Sequence, residues 1–282
     1  MQNNNKKLIV IIFSILIIVL LNCYFIFLKK IYSSTMVRQT TQTKNNEIQA
    51  TVKIDITPVK VPIIVYHSIK PMSNYPTQDE KTFTVSPEMF EKQMQYLNEN
   101  NYTTITFDDL FNYFQGKKLP ENPVIINFDD GWKNQYTHAF PILKKTNNIA
   151  TFYIFTNAID HENYLSWEQI KEMSEANMEF GDHSHYHPYL WKIEDQTELD
   201  REIIKSKEII EKHLGKTITT FAYPFGLYSS TTVEMVKKAG FTTARSFDKW
   251  GNYHSKDDLL TLRSIQITNS LNSLINALDY DK

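Results

Sequence analysis

Cysteine is almost missing from this chain. Cys23 is the single one in 282 residues, so no intrachain disulfide can form and the fold must hold without one. Glycine is scarce at seven residues, and no Gly-rich phosphate loop is formed from them. Neither charge sign is in excess. Lys and Arg number 30 against 32 Asp and Glu, and the net charge of -2 gives no reason to expect a nucleic-acid partner. No internal repeat is evident. Long hydrophobic runs are also lacking, with the exception of Leu8–Leu28, which Lys29-Lys30 closes. What is present excludes a disordered chain: 41% hydrophobic and 13% aromatic residues, over a length that suits one large domain or two smaller ones. The aromatic content suits a carbohydrate-facing surface and a packed core equally well.

The run Leu8–Leu28 is long enough to cross a bilayer as a helix and longer than the usual signal-peptide core. No small-x-small cleavage site follows it, so the expectation is an uncleaved signal-anchor after a short N-terminus at 1–7. Lipidation at Leu20-Leu21-Asn22-Cys23 fits less well, because Asn22 is a poor residue before a lipidated cysteine and the apolar run continues beyond it. Residues 29–60 are rich in Thr, Gln, Asn and Ser and read as a flexible stalk, leaving 61–282 as the folded domain. Lysines flank both ends of the run, so orientation must come from what the domain does.

Within the domain, apolar strand patterns alternate with helical ones. Strands are expected at 61–67, 103–106, 124–128, 150–155, 178–182, 219–223, 241–244 and 260–267. Between them, Ser86-Pro87 and Ser166 mark helix starts, and Leu199, Ile203, Ile210 and Leu214 mark the longest amphipathic helix. Short connections between alternating elements predict a parallel α/β layer or barrel.

Three stretches carry chemistry. In Val124-Ile125-Ile126-Asn127-Phe128-Asp129-Asp130-Gly131-Trp132, a strand with apolar β-branched residues ends in two carboxylates. The carboxyl end of a parallel strand is where α/β sheets and barrels keep their reactive groups, although a plain exposed Asp-Asp-Gly turn has the same letters. In Gly181-Asp182-His183-Ser184-His185-Tyr186-His187-Pro188, His183 and His187 are four apart, and a helical turn would put both imidazoles on one face. With Asp130 they would make a two-His, one-carboxylate metal site, and His185 would point elsewhere. The third stretch, Phe221-Ala222-Tyr223-Pro224-Phe225-Gly226, is a strand entering a turn that can present a backbone N–H to an oxyanion.

Together and in this order, the three resemble the motifs of the polysaccharide deacetylases of carbohydrate esterase family four. The resemblance spans roughly Val61–Ile267 and implies a distorted (β/α) barrel with one divalent metal, Zn2+ first and Ni2+, Co2+ or Fe2+ next. It implies Asp130, His183 and His187 as metal ligands, Asp129 as general base and the Phe225 N–H as oxyanion donor. Two departures matter. Ala222 stands where the family has the arginine that orients the base, and Arg263 or Arg245 could fill that role, with Arg263 favoured. No histidine follows His254, where the family's proton donor would lie; Pro62 to His67 is similar to the branch that carries this histidine on its first strand. That branch resembles deacetylases of the biofilm polymer poly-N-acetylglucosamine. Asn127, in place of the usual threonine, reads as a mild change. Tyr66, Trp132, Tyr223 and Trp250 are expected to contact substrate.

The resemblance implies metal-dependent release of acetate from a GlcNAc polymer, with poly-β-1,6-N-acetylglucosamine favoured. Peptidoglycan N-deacetylation, O-acetyl-xylan hydrolysis, or a catalytically silent glycan-binding role are the alternatives. Because such polymers lie outside the membrane, the expected placement is a single-pass membrane protein with its domain outside.

Overall fold

The computed structural model describes residues 24–30, 58–247 and 251–280. The chain separates into two units, 1–55 and 56–282. Of the first unit, residues 24–30 are described, and they are helical. Here the expected membrane placement is corrected. Among the described residues no helix is long and apolar enough to cross a membrane, and the rest of the proposed span, 8–23, lies outside them. The single-pass anchor, and the localisation inferred from it, therefore stand without support.

The second unit is built on parallel strands: β1 (Ile63–Tyr66), β2 (Thr103–Thr104), β3 (Pro123–Phe128), β4 (Thr151–Ile154), β5 (Glu179–Asp182), β6 (Thr220–Ala222), β7 (Thr243–Arg245) and β8 (Ile265–Gln266). Their order is β7-β6-β5-β4-β3-β1-β8, with β2 beside the first residues of β3. A parallel bridge from Arg245 to Leu262 links β7 to the segment that leads into β8, so the sheet curls round into a distorted barrel. The helices are α1 (Gln78–Phe83), α2 (Pro87–Glu99), α3 (Phe107–Tyr113), α4 (Phe140–Thr146), α5 (Trp167–Glu175), α6 (Ser206–Leu214), α7 (Ser230–Lys238) and α8 (Leu271–Leu278). Helix α6 continues a helical stretch from Gln196 through a π-helical segment, Asp200–Lys205.

Local chemistry explains these elements. The Ser86 hydroxyl accepts from the Met89 N–H and Pro87 occupies the first turn of α2, which buries Phe90, Met94 and Leu97. Ser166 and Gln169 form a capping box at the start of α5. Along the strands, successive side chains alternate between two cores. Ile64, Tyr66, Ile126 and Phe128 join the cluster that contains Phe90 and Met94 of α2 and Leu143 of α4. Ile63, Ile125, Tyr153 and Ala222 join the other, with Phe107 and Leu110 of α3. This parity decides which residues at the strand ends reach the site.

Helices α1 and α8 have no counterpart in the sequence reading. The first is almost wholly polar and is started by the Thr77 side chain accepting from the Glu80 N–H. The second buries Leu274, Ala277 and Leu278 in the core cluster and packs against α2. The expected strand at 260–267 shrinks to Ile265–Gln266, because its earlier residues serve the bridge to β7.

Candidate active site

The carboxyl ends of β1, β3, β5, β6 and β7 bring His67, Asp129, Asp130, His183, the Pro224–Gly226 turn and Arg245 together. A groove of about 1100 Å³ opens over them and is lined by His67, Asp129, Asp130, His183, His187 and Phe225, among others. Alternation places the pair of carboxylates: Asn127 and Asp129 fall on the same side of β3, while Asp130 turns into a left-handed conformation at φ 71°. The two acids thereby share a site although they are adjacent in sequence.

Asp129 is almost fully buried and hydrogen-bonded by the Arg245 guanidinium through Oδ1. Its Oδ2 faces His67 Nε2 at 3.6 Å and His183 Nε2 at 4.0 Å. Burial would raise its pKa, but Arg245, His183 and His67 together hold it below the usual carboxylate value. Gln135 fixes the backbone beneath: its Nε2 donates to the carbonyls of His67, at 2.8 Å, and Asp129, at 2.5 Å.

Arg245 is itself fully buried, and its Nε donates to Asn127 Oδ1 at 3.0 Å while Asn127 Nδ2 donates to the Ile64 carbonyl at 2.9 Å. The expectation for Arg263 is corrected accordingly. Arg263 lies away from Asp129, donating to the Tyr253 carbonyl and pairing with Asp258. Arg245 is the register partner of Ala222 on the adjacent strand. A guanidinium missing at Ala222 is thus supplied by the neighbour in the sheet.

Asp130, His183 and His187 each aim one ligand atom into a space where all three lie within 4.8 Å of one another. Asp130 Oδ1 is 3.7 Å from His183 Nε2 and 3.5 Å from His187 Nε2, and the two imidazole nitrogens are 3.2 Å apart. His183 Nδ1 sits 2.7 Å from the Ala222 carbonyl, so it carries the proton and leaves a lone pair on Nε2. Burial pushes the pKa of His183 down to about 4 and also lowers that of His187, so both rings are neutral near pH 7. Two neutral nitrogens at that distance, one of them a bare lone pair, fit a shared divalent cation, and two imidazoles with one carboxylate form a donor set suited to zinc. The residues present fit a metal ion.

The two histidines do not converge as expected from a helical turn. Residues 183–187 form a loop in which Ser184 and His187 are left-handed, at φ 72° and 57°. The Ser184 N–H donates to Asp182 Oδ1 at 2.9 Å and the His187 N–H to Ser184 Oγ at 3.0 Å. The Tyr186 N–H donates to buried Glu202 at 2.8 Å, from the π-helical segment. His185 turns away, with Nδ1 2.6 Å from Thr156 Oγ1.

Of the four aromatic residues expected at the substrate, one lines the groove. Trp132 does so, stacked on Tyr164 with its Nε1 donating to Asp130 Oδ2 at 2.9 Å. Tyr66 and Tyr223 are fully buried on the helix-facing side, hydrogen-bonded to Gln93 and to the Leu260 carbonyl. Parity excludes them: Tyr66 precedes His67, which lines the groove, and Tyr223 follows Ala222, which faces the other core. Trp250 lies outside the described residues. His254 is buried with Nε2 3.0 Å from the Val61 carbonyl and does not line the groove.

The chain matches the family model described as Polysaccharide deacetylase over residues 116–244. It is 31% identical over 201 residues to YxkH of Bacillus subtilis (strain 168), a protein grouped by name with the polysaccharide deacetylases, covering 71% of this chain and 68% of that one. The chain belongs to the polysaccharide deacetylase family. It is also 30% identical over 187 residues to the poly-beta-1,6-N-acetyl-D-glucosamine N-deacetylase of Staphylococcus aureus, covering 61% of this chain and 64% of that protein. The Streptococcus pyogenes deacetylase PplD, solved with acetate, superimposes with a TM-score of 0.72 at 28% identity, over 79% of this chain and all of that one. The polysaccharide deacetylase BC0361 of Bacillus cereus gives a TM-score of 0.70 at 30% identity, over 79% of this chain and 70% of that one. This deacetylase is therefore a hydrolase of the polysaccharide-deacetylating kind.

Proposed function

We propose that the deacetylase acts on N-acetylglucosamine units of a polymer, with poly-β-1,6-N-acetylglucosamine as substrate, and that it uses one divalent cation, zinc first. The observation that carries this reading is the convergence of Asp130, His183 and His187 beside an arginine-held carboxylate and a histidine from the first strand. The substrate is supported by the likeness to a protein named for that polymer.

Asp130, His183 and His187 would hold the cation. When bound there, a divalent metal supplies Lewis-acid polarisation of the amide carbonyl and acidifies water. Asp129, kept as carboxylate by Arg245, takes the proton of the attacking water. Arg245 positions it, anchored in turn by Asn127. His67, on the groove wall and facing Asp129, delivers a proton to the departing nitrogen, which is a poor leaving group as an anion. The Phe225 N–H, held by the left-handed turn at φ 58°, receives the developing oxyanion. Trp132 orients Asp130 and walls the sugar site.

The test is acetate release from β-1,6-linked GlcNAc oligomers set against peptidoglycan fragments and acetylated xylan. Release from the oligomers at the highest kcat/KM supports this substrate. Faster turnover of peptidoglycan fragments assigns the enzyme to cell-wall glycan instead. Purified protein that binds no zinc and releases no acetate would mark a silent glycan-binding copy.

A further inference from the structure

A line of aromatic rings leaves the site on its His187 side. The His187 ring lies 4.6 Å from that of Phe225, and Phe225 is stacked on Tyr189 at 4.1 Å with an interplanar angle of 19°. The Lys192 ammonium then lies 4.9 Å from the Tyr189 ring and 5.1 Å from the Trp191 ring, bridging the two. Phe225, Tyr189 and Trp191 are 46%, 47% and 44% exposed, so large flat surfaces are left in water where the core could have covered them. Single exposed aromatics are ordinary; a contiguous row that begins at a metal ligand and continues a substrate groove is not.

We propose that this row is a binding platform for N-acetylated sugar units of the polymer that lie beyond the unit being hydrolysed. The inference rests on the GlcNAc-polymer reading above. A pyranose ring has an apolar C–H face that stacks on an aromatic ring while its hydroxyls stay in water, so half-exposed rings suit it better than a buried pocket would. Continuity fixes the occupant: Phe225 lines the groove, so a polymer threaded through the groove passes onto Tyr189 and then Trp191. Lys192 sets the charge preference. Its cation between the rings accepts neutral acetylated units and repels units already converted to amines.

The experiment compares kcat/KM for acetate release from the β-1,6-linked GlcNAc dimer and hexamer, using the full-length chain supplied with Zn2+. Trp191→Ala, Tyr189→Ala and Trp191→Phe are set beside the parent. Stacking of this kind is worth roughly three- to tenfold per ring, so the hexamer-to-dimer ratio should fall by about that factor in each alanine variant, through KM. Trp191→Phe should restore most of it, which a loss of folding would not allow. A ratio that stays constant in both alanine variants, whether activity is kept or lost equally on the two substrates, overturns the platform and assigns these rings to a protein or membrane surface. If the parent releases no acetate from either oligomer, the substrate reading fails and this inference falls with it.

Discussion

Two carboxyls at opposite ends of the barrel, the buried Asp129 and the half-buried Glu179, are treated in opposite ways. At the carboxyl ends of the strands, Asp129 is held below the usual carboxylate pKa, its burial outweighed by Arg245, His183 and His67. At the opposite end, Glu179 opens β5, accepts from Thr151 Oγ1 at 2.6 Å, and has Asp108 and Asp109 for company. There burial is reinforced by like charge, and its pKa is pushed up to about 7. Asp182, buried at the same end as Asp129, has its pKa raised by burial, and what sets Asp129 apart is the Arg245 guanidinium against it. Arg245 keeps Asp129 a buried anion, and Glu179 folds most comfortably with its proton on.

The comparison can be broken or sharpened by substitution, beginning where the effect is largest. His183→Ala and His187→Ala each remove one of the three converging ligand atoms, and should lose bound metal on dialysis together with all deacetylation. His185→Ala should keep both, because that ring is turned toward Thr156. Metal analysis after gel filtration reads the difference directly, and metal loss in His185→Ala would shift the ligand assignment.

Asp129→Asn keeps the side chain's size but cannot take a proton, and should cost on the order of 10²–10⁴ in kcat with metal retained. His67→Ala should match it on GlcNAc oligomers yet do far less damage with 4-nitrophenyl acetate, whose leaving group departs as an anion. Equal losses on the two substrates would remove His67 from the role of acid.

Arg245→Met strips the cation from the buried Asp129 and should cost about 3–5 kcal/mol of stability in urea titration. Adding Asp129→Asn to it should recover most of that stability and none of the activity. If the single variant is as stable as the parent, the guanidinium is not what keeps Asp129 charged.

At the other end the effect is smaller and depends on pH. A carboxyl whose folded pKa is raised from 4.5 to about 7 weighs against the folded state once it ionises. The contribution of this group to stability should thus be greatest below about pH 4.5 and decline as pH rises toward 7, with a slope of at most about 1.4 kcal/mol per pH unit. Glu179→Gln should flatten that stretch of the profile. Asp129 has the opposite sign: its contribution is present above the ordinary carboxylate range and is lost as pH falls through its depressed folded value.

Much of this was legible in the chain, and the illegible part has physical causes. Strand ends carrying Asp129-Asp130 and His183 could be read from apolar runs that stop at polar residues, since a buried strand announces itself by composition. The choice between Arg245 and Arg263 could not, because Arg245 reaches Asp129 through sheet register, and register across β6 and β7 leaves no trace in linear spacing. The same blindness made Asn127 look like a mild replacement, when its amide is the hinge between Arg245 and the Ile64 carbonyl. Tyr66 and Tyr223 misled for a simpler reason. Tyr66 is next to His67 and Tyr223 next to Ala222, and neighbours on a strand face opposite ways. The helical turn expected of His183–His187 failed because the side-chain oxygens of Asp182, Ser184 and Glu202 accept from its backbone N–H groups and offer a better alternative.

The left-handed residues at the strand ends have one more consequence. Asp130, Ser184, His187 and Phe225 carry side chains in a backbone region that costs such residues roughly 1–3 kcal/mol each. Gly226 is left-handed as well, and a Cβ there would come within 2.4 Å of Phe247. Local preference therefore opposes the shape of the site, and the surrounding barrel imposes it. In evolutionary terms the centre lives on stability borrowed from the sheet and helices. A lineage that drifts in its core would lose the convergence of Asp130, His183 and His187 well before it lost the fold.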